Sequence, residues 1–295
     1  MIVSASRRTD IPAFYPDWLM GRIEAGYCLV RNPFDARKLR RVSLDPADLD
    51  FLVLWTRDPR PLSGRLREIE ARGIRFYVQM TIVDYPRSVE PGAPPLDEAI
   101  DALRDLADRI GPDRALWRYD PIVLAEGMEA DRHLRAFERI ARSLEGRTRR
   151  VTLSVVDEYS GTDSRLAAAG FPGSVFDVAA YKPLLAELAA MARARGMAPL
   201  ACAEEADLSP LGIDAGACVD AALAASLWGA AEPGAIGPEA KARVGRKDPG
   251  QRPACLCAKG VDIGAYGTCP RGCAYCYANR GRGRHLVRGP ADESL

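Results

Sequence analysis

Short apolar runs recur along this chain, and amphipathic stretches separate them. The runs are 2–6, 28–31, 51–56, 76–82, 115–119, 151–156, 199–203 and 261–266. They are rich in Val, Ile, Leu and aromatics with few interior charges, as in strands covered on both faces. Helical patterns lie between them at 16–25, 62–72, 96–110, 131–144, 175–195 and 219–228. The stretch 96–110 places Ile100, Leu103, Leu106, Ala107 and Ile110 on one side. Gly73, Gly111 and Gly196 each follow a helical stretch, where a left-handed C-cap favours glycine. Strand–helix alternation with short links predicts a parallel sheet. About eight strands in 295 residues predict an α/β fold of the (β/α) barrel, TIM-like kind. A single domain is expected over 1–278, with a Gly-, Pro- and charge-rich loop at 229–253 and a mobile basic tail at 279–295.

Composition narrows the function classes. Hydrophobic residues make up 47% of the chain, enough for a substantial core and too many for disorder. The charge balance, 41 − 40 = +1, offers no global attraction to nucleic acid or an anionic membrane. No run reaches the ~18 apolar residues of a membrane span. The N-terminus lacks the apolar core of a secretory signal, so the cytoplasm is the expected compartment. The two histidines, His133 and His285, fall mid-helix and in the basic tail. Both are read as surface residues away from any strand end, which argues against a His-based acid–base enzyme. The arginines at 280, 282, 284 and 288 form a Gly-spaced basic run, read as a solvated tail.

Eight cysteines stand at 28, 202, 218, 255, 257, 269, 273 and 276. In a reducing compartment such a set points to metal or redox chemistry and away from disulfides. Cys269, Cys273 and Cys276 have the spacing C-x3-C-x2-C, with Tyr275 just before the third. Three thiolates on one short loop can ligate three irons of a [4Fe–4S] cube, and the fourth iron is left open. Gly272 permits the tight backbone path of such a loop. Cys202, Cys218, Cys255 and Cys257 are four further thiols, the number for a second cubane or an all-cysteine zinc site. Spacing does not choose between the two. Cys28 reads as a small buried apolar residue.

The C-x3-C-x2-C motif resembles that of radical S-adenosylmethionine (SAM) enzymes. The whole chain resembles the bacterial domain-of-unknown-function 1848 family, through SASRRTDIPAFY, VRNPFD, WTRDP, WRYDPI, CAEEADL and DIGAYGTCPRGCAYCYAN. That resemblance implies a cluster held by Cys269, Cys273 and Cys276 whose open iron chelates SAM, with Tyr275 beside it. It also implies reductive cleavage to a 5′-deoxyadenosyl radical, hydrogen abstraction from substrate, oxygen sensitivity, and a low-potential donor such as ferredoxin or flavodoxin. A small-molecule substrate is favoured over nucleic acid. In ordinary radical SAM enzymes the motif follows the first barrel strand, whereas here it follows the last. A circular permutation, with the last strand beside the first, reconciles the two orders.

A barrel sets its strand ends over the active site. That rule nominates Ser6, Arg7, Arg8, Thr9, Asp10, Arg31, Asn32, Thr56, Arg57, Asp58, Gln79, Thr81, Arg118, Asp120, Ser154, Asp157, Glu204 and Glu205. Among them Arg8, Asp10, Arg118, Asp120 and Glu204 are the candidates for substrate or SAM contact, with Arg8, Arg31 and Arg118 suited to a carboxylate or phosphate. A structural ring of salt bridges accounts for inward charges equally well, and Asp120 before Pro121 could instead fix a turn. Two other classes remain open: a non-radical iron–sulfur protein for electron transfer or redox sensing, and a zinc-stabilised nucleic-acid-binding protein.

Overall fold

The computed structural model describes residues 1–32, 35, 37–229, 246–279, 286 and 288–295. Among these residues, eight strands form one parallel sheet. They are β1 (Ile2–Ala5), β4 (Phe51–Thr56), β5 (Phe76–Thr81), β6 (Ala115–Ile122), β7 (Arg150–Val155), β8 (Ala198–Cys202), β9 (Asp214–Gly216) and β10 (Gly260–Asp262). The order across the sheet is β10-β1-β4-β5-β6-β7-β8-β9. The last strand therefore lies parallel beside the first, Val3 opposite Val261. The ladder does not close, because β9 and β10 form its two ends. One backbone hydrogen bond, Ala258 N to Val219 O at 2.9 Å, links the segments next to them.

The strand 28–31 does not join this sheet. It lies in β2 (Tyr27–Arg31), which pairs antiparallel with β3 (Leu39–Ser43) in a separate ribbon. Only Cys28 and Val42 of the ribbon are buried, so it needs a single covered face. Arg31 and Asn32 consequently stand away from the main strand ends. The place of that strand is taken by β9, whose Asp-Ala-Gly carries no apolar run.

Alternation along the strands gives the sheet two distinct faces. One presents Val3, Leu52, Leu54, Phe76 and Val78, which pack with Ile11, Trp18, Leu19 and Ile69. These partners come from α1 (Ile11–Phe14), α2 (Pro16–Ala25) and α4 (Leu66–Ala71). Further along the same face Met80, Trp117 and Leu153 meet α5 (Leu96–Ile110), α6 (Ala130–Ser143) and α8 (Val178–Ala194). Burying each such side chain is worth about 1.5–3 kcal/mol. The stretch 62–72 is broken into α3 (Arg60–Ser63) and α4, and 219–228 becomes α9 (Ala221–Gly229). The opposite face gathers Ile2, Phe51, Val53, Tyr77 and Leu116 with Cys218, Cys255 and Cys257 in one cluster.

Two expectations are corrected. His133 is buried in α6: its Nε2 lies 2.8 Å from Val123 O and its Nδ1 3.0 Å from the Tyr119 hydroxyl. Its polar ring finds partners inside, so an Arg-flanked position did not expose it. The described end of the chain, 288–295, is docked on the sheet's helices and ribbon where a solvated tail was expected. Trp18 donates to Asp292 O at 2.8 Å, Arg22 to Pro290 O at 2.7 Å, and Leu29 N to Glu293 O at 2.7 Å, while Leu295 enters the core. The arginines 280, 282 and 284 and His285 lie outside the described residues, as does most of the loop 229–253. Its described part, from 246, pairs with the segment before β10: Asp248 N donates to Cys257 O and Lys259 N to Arg246 O. No helix among the described residues is long and apolar enough to cross a membrane.

Candidate functional site

The carboxyl ends of the parallel strands surround a cavity of about 700 Å³. Its walls include Ser6, Thr56, Gln79, Arg118, Ser154 and Cys202 from six strands or the residues just after them, and seven of the eight cysteines. Strand polarity explains the position, since all eight strands point one way and bring their ends to one side.

The loop after β10 carries Cys269, Cys273 and Cys276. It is clamped from three directions. On the β1 side, Thr9 Oγ1 meets Thr268 Oγ1 at 2.6 Å and the Tyr15 hydroxyl donates to Thr268 O at 2.7 Å. Arg271, inside the motif, donates Nε to Asp10 at 3.0 Å with Nη2 at 2.9 Å, both side chains buried. Asp10 also accepts from Thr56 Oγ1 at 2.7 Å and Arg57 N at 3.0 Å, so this carboxylate ties the loop to β1 and β4. From the segment before α5, Gly92 N donates to Arg271 O at 3.1 Å, and Ala274 N donates to Val89 O at 2.9 Å. A Cβ on Gly92 would stand 2.8 Å from Arg271 O, so only glycine fits there. From α7 (Thr162–Ala168), Arg165 donates to Ala274 O at 2.7 Å. Gly272 has φ +74°, the left-handed turn expected of it.

Tyr275 points its hydroxyl into a buried knot with Glu90 and Arg57. The Arg57 guanidinium lies 2.8 Å from Glu90. Desolvation weighs against the charge on Arg57, but Glu90, Tyr275 and Cys273 outweigh it and hold the group protonated. Burial pushes the Cys269 thiol up to about 11 and the Cys273 thiol up to about 12. Thiolates at these positions would therefore need a positively charged partner.

The other four thiols meet at the open edge of the sheet. Cys202 ends β8, Cys218 follows β9, and Cys255 and Cys257 precede β10. Cys202 and Cys218 sulfurs are 2.9 Å apart, Val219 N donates to Cys257 Sγ at 3.4 Å, and Arg118 Nη1 donates to Cys218 Sγ at 2.6 Å. The Cys218 backbone is held from β5: its carbonyl accepts from Tyr77 at 2.8 Å and Gln79 at 2.9 Å. Hydrogen bonds from Cys218 and Cys255 draw the Cys257 thiol well below its usual range. Among the described residues, no three of His, Cys, Asp and Glu converge on one point as ligands of a single metal ion.

The other nominated residues divide. Arg8 lies over the Tyr266 ring at 4.8 Å, and Arg118 pairs with Asp120; all three charged groups line the cavity. Glu204 turns back to β7, accepting from Val155 N at 2.9 Å. Asp58 pairs with Arg60. Glu90, Arg271 and Asp262 are among the residues at the site that carried no nomination. Glu90 sits in a segment with no periodic signal. Arg271 is visible only as a charge inside the cysteine motif. Asp262 accepts from Ser4 at 2.9 Å, Ser6 at 2.6 Å and Arg7 N at 2.8 Å, stitching β10 to β1. The strand-end rule would have found it had the run begun at 261 ended at Asp262, where β10 ends.

Trp55 Nε1, Gln79 Oε1 and Asn279 Oδ1 are buried, line the cavity and have no hydrogen-bond partner among the described residues. Each such atom costs about 1–3 kcal/mol unless something meets it. They offer one donor and two acceptors to a polar guest.

No curated protein matches this sequence. Among solved structures, the citrate synthase SbnG is 12% identical, with 72% of this chain and 82% of that one covered and a TM-score of 0.28. The pneumococcal virulence factor StrH is 11% identical, with 68% and 51% covered and a TM-score of 0.24. A family model described as "Domain of unknown function (DUF1848)" matches residues 2–278. With nearly the whole length accounted for, the chain belongs to the DUF1848 family.

Proposed function

We propose that this protein is a radical SAM-type iron–sulfur enzyme, in which Cys269, Cys273 and Cys276 hold a SAM-binding [4Fe–4S] cluster. The observation that carries the reading is the placement of these three cysteines. They share one clamped turn at the carboxyl end of a parallel strand, and all three face the same cavity. We further read the sheet as a circularly permuted barrel, with β10 in the place of the usual first strand. Its parallel pairing with β1 supports that order.

When bound, such a cluster supplies the electron that cleaves SAM reductively, ahead of hydrogen abstraction from a substrate C–H bond. The chain's own residues hold and orient. Arg271–Asp10 and Thr9–Thr268 fix the loop. Trp55 Nε1, Gln79 Oε1 and Asn279 Oδ1 meet the polar groups of a guest such as SAM. Arg8 and Arg118 with Asp120 supply charge to the cavity wall. A reductant such as ferredoxin or flavodoxin and a small-molecule substrate in the cytoplasm complete the reading.

The test is anaerobic reconstitution with iron and sulfide, then addition of SAM and dithionite. The expected product is 5′-deoxyadenosine, lost in Cys276→Ala. A fully reconstituted protein that forms none would overturn the reading and favour plain electron transfer; so would a Cys276→Ala variant that still forms it.

A further inference from the structure

We propose that Cys202, Cys218, Cys255 and Cys257 ligate a second, fully coordinated [4Fe–4S] cluster at the open edge of the sheet, with Arg118 donating to one of its thiolates. This site stands apart from the reading of the Cys269 loop and does not depend on SAM cleavage.

Its first support is convergence. The four thiols come from β8, the segment after β9 and the segment before β10, and all four line the cavity. The contacts run as a string. Cys202 reaches Cys218, and Cys257 hydrogen bonds with both Cys218 and Cys255. A cubane takes one thiolate at each of its four irons, an all-cysteine zinc site takes four on one ion, and the metal count decides between them. The Cys202–Cys218 separation of 2.9 Å is also longer than the ~2.05 Å of a disulfide.

The surroundings fit a negatively charged guest. A cubane with four thiolate ligands carries net negative charge. Arg118 is 5% exposed, donates to Cys218 Sγ at 2.6 Å, and keeps its own carboxylate partner in Asp120. Arg7 also acts electrostatically on Cys218 and Cys257. The Trp55 ring lies under Arg118 at 5.1 Å. Hydrogen bonds to cluster sulfurs raise the reduction potential. Arg118 is a positioning and tuning residue in this site.

The experiment counts iron and sulfide in the anaerobic full-length chain. The expected values are about eight irons for the wild type, and about four for Cys269→Ala/Cys273→Ala/Cys276→Ala and for Cys202→Ala/Cys257→Ala. In the background lacking the Cys269 loop ligands, Arg118→Met should shift the midpoint potential of the remaining cluster to a more negative value. The wild-type count decides even where a variant fails to fold. About four irons in the wild type and none in the loop variant overturns the second site. So does one zinc per chain, or a mass two units low from a Cys202–Cys218 disulfide. About four irons in both the wild type and the loop variant would sink the SAM-cluster reading and leave this one standing.

Discussion

The two cysteine groups share one cavity but are built in opposite ways. Cys269, Cys273 and Cys276 are close in sequence, and the rest of the protein is arranged to grip their loop. Cys202, Cys218, Cys255 and Cys257 are scattered, and they meet only because the sheet's two unpaired ends approach each other. The first group depends on side chains outside it, above all the Asp10–Arg271 pair. The second depends on strand order and on the β5 residues that hold the Cys218 turn. A local motif can be carried to a new position in the chain, provided its clamps come with it. An assembled group cannot move without the sheet.

The largest effect should come from breaking the first clamp. Asp10→Ala leaves Arg271 buried without its carboxylate, and such a loss costs about 3–5 kcal/mol. Denaturant unfolding should show it, and alkylation of the metal-free protein should label Cys269 and Cys273 faster while Cys218 and Cys257 stay protected. A cost under about 1 kcal/mol, the range of exposed pairs, would mean that the clamp is dispensable. Tyr77→Phe tests the other group. It removes the hydroxyl that bridges Cys218 O and Asp220 N, 2.8 Å from each. The expected cost is about 1–3 kcal/mol, with labelling now faster at Cys218 and unchanged at Cys269. Equal labelling of both groups in either variant would show that they form one unit and would undo the contrast.

The same contrast explains what could be read in advance. Strands β4 and β5 were legible because Phe51–Thr56 and Phe76–Thr81 are apolar on both faces. The motif loop was legible because its three thiols lie within eight residues. β9 was not: Asp214–Gly216 has no pattern and is a strand only because β8 offers it an edge. Cys28 was placed in the wrong sheet, since a two-stranded ribbon and a buried strand both supply one apolar face to the core. Convergence of the four scattered thiols could be counted but not located. Glu90, the partner of Tyr275 and Arg57, was invisible because a buried carboxylate in an irregular segment looks like any solvated one until its partners are in place.

The smallest expected effect concerns pH and separates the cysteine side of the sheet from the helix side. His133 lies among the α6 residues, hydrogen bonded to Val123 O and the Tyr119 hydroxyl. Burial, the largest influence, lowers its pKa below the ordinary 6.5. The folded state therefore prefers the neutral ring, and below pH 6.5 the unfolded chain binds more protons. Stability from this residue is fully present above pH 6.5 and is lost as the pH falls through the lower, folded-state value. Thermal unfolding of the metal-free protein should show Tm falling between pH 7 and pH 5, with a shallower fall in His133→Gln. If the variant keeps the full slope, the proton uptake lies elsewhere.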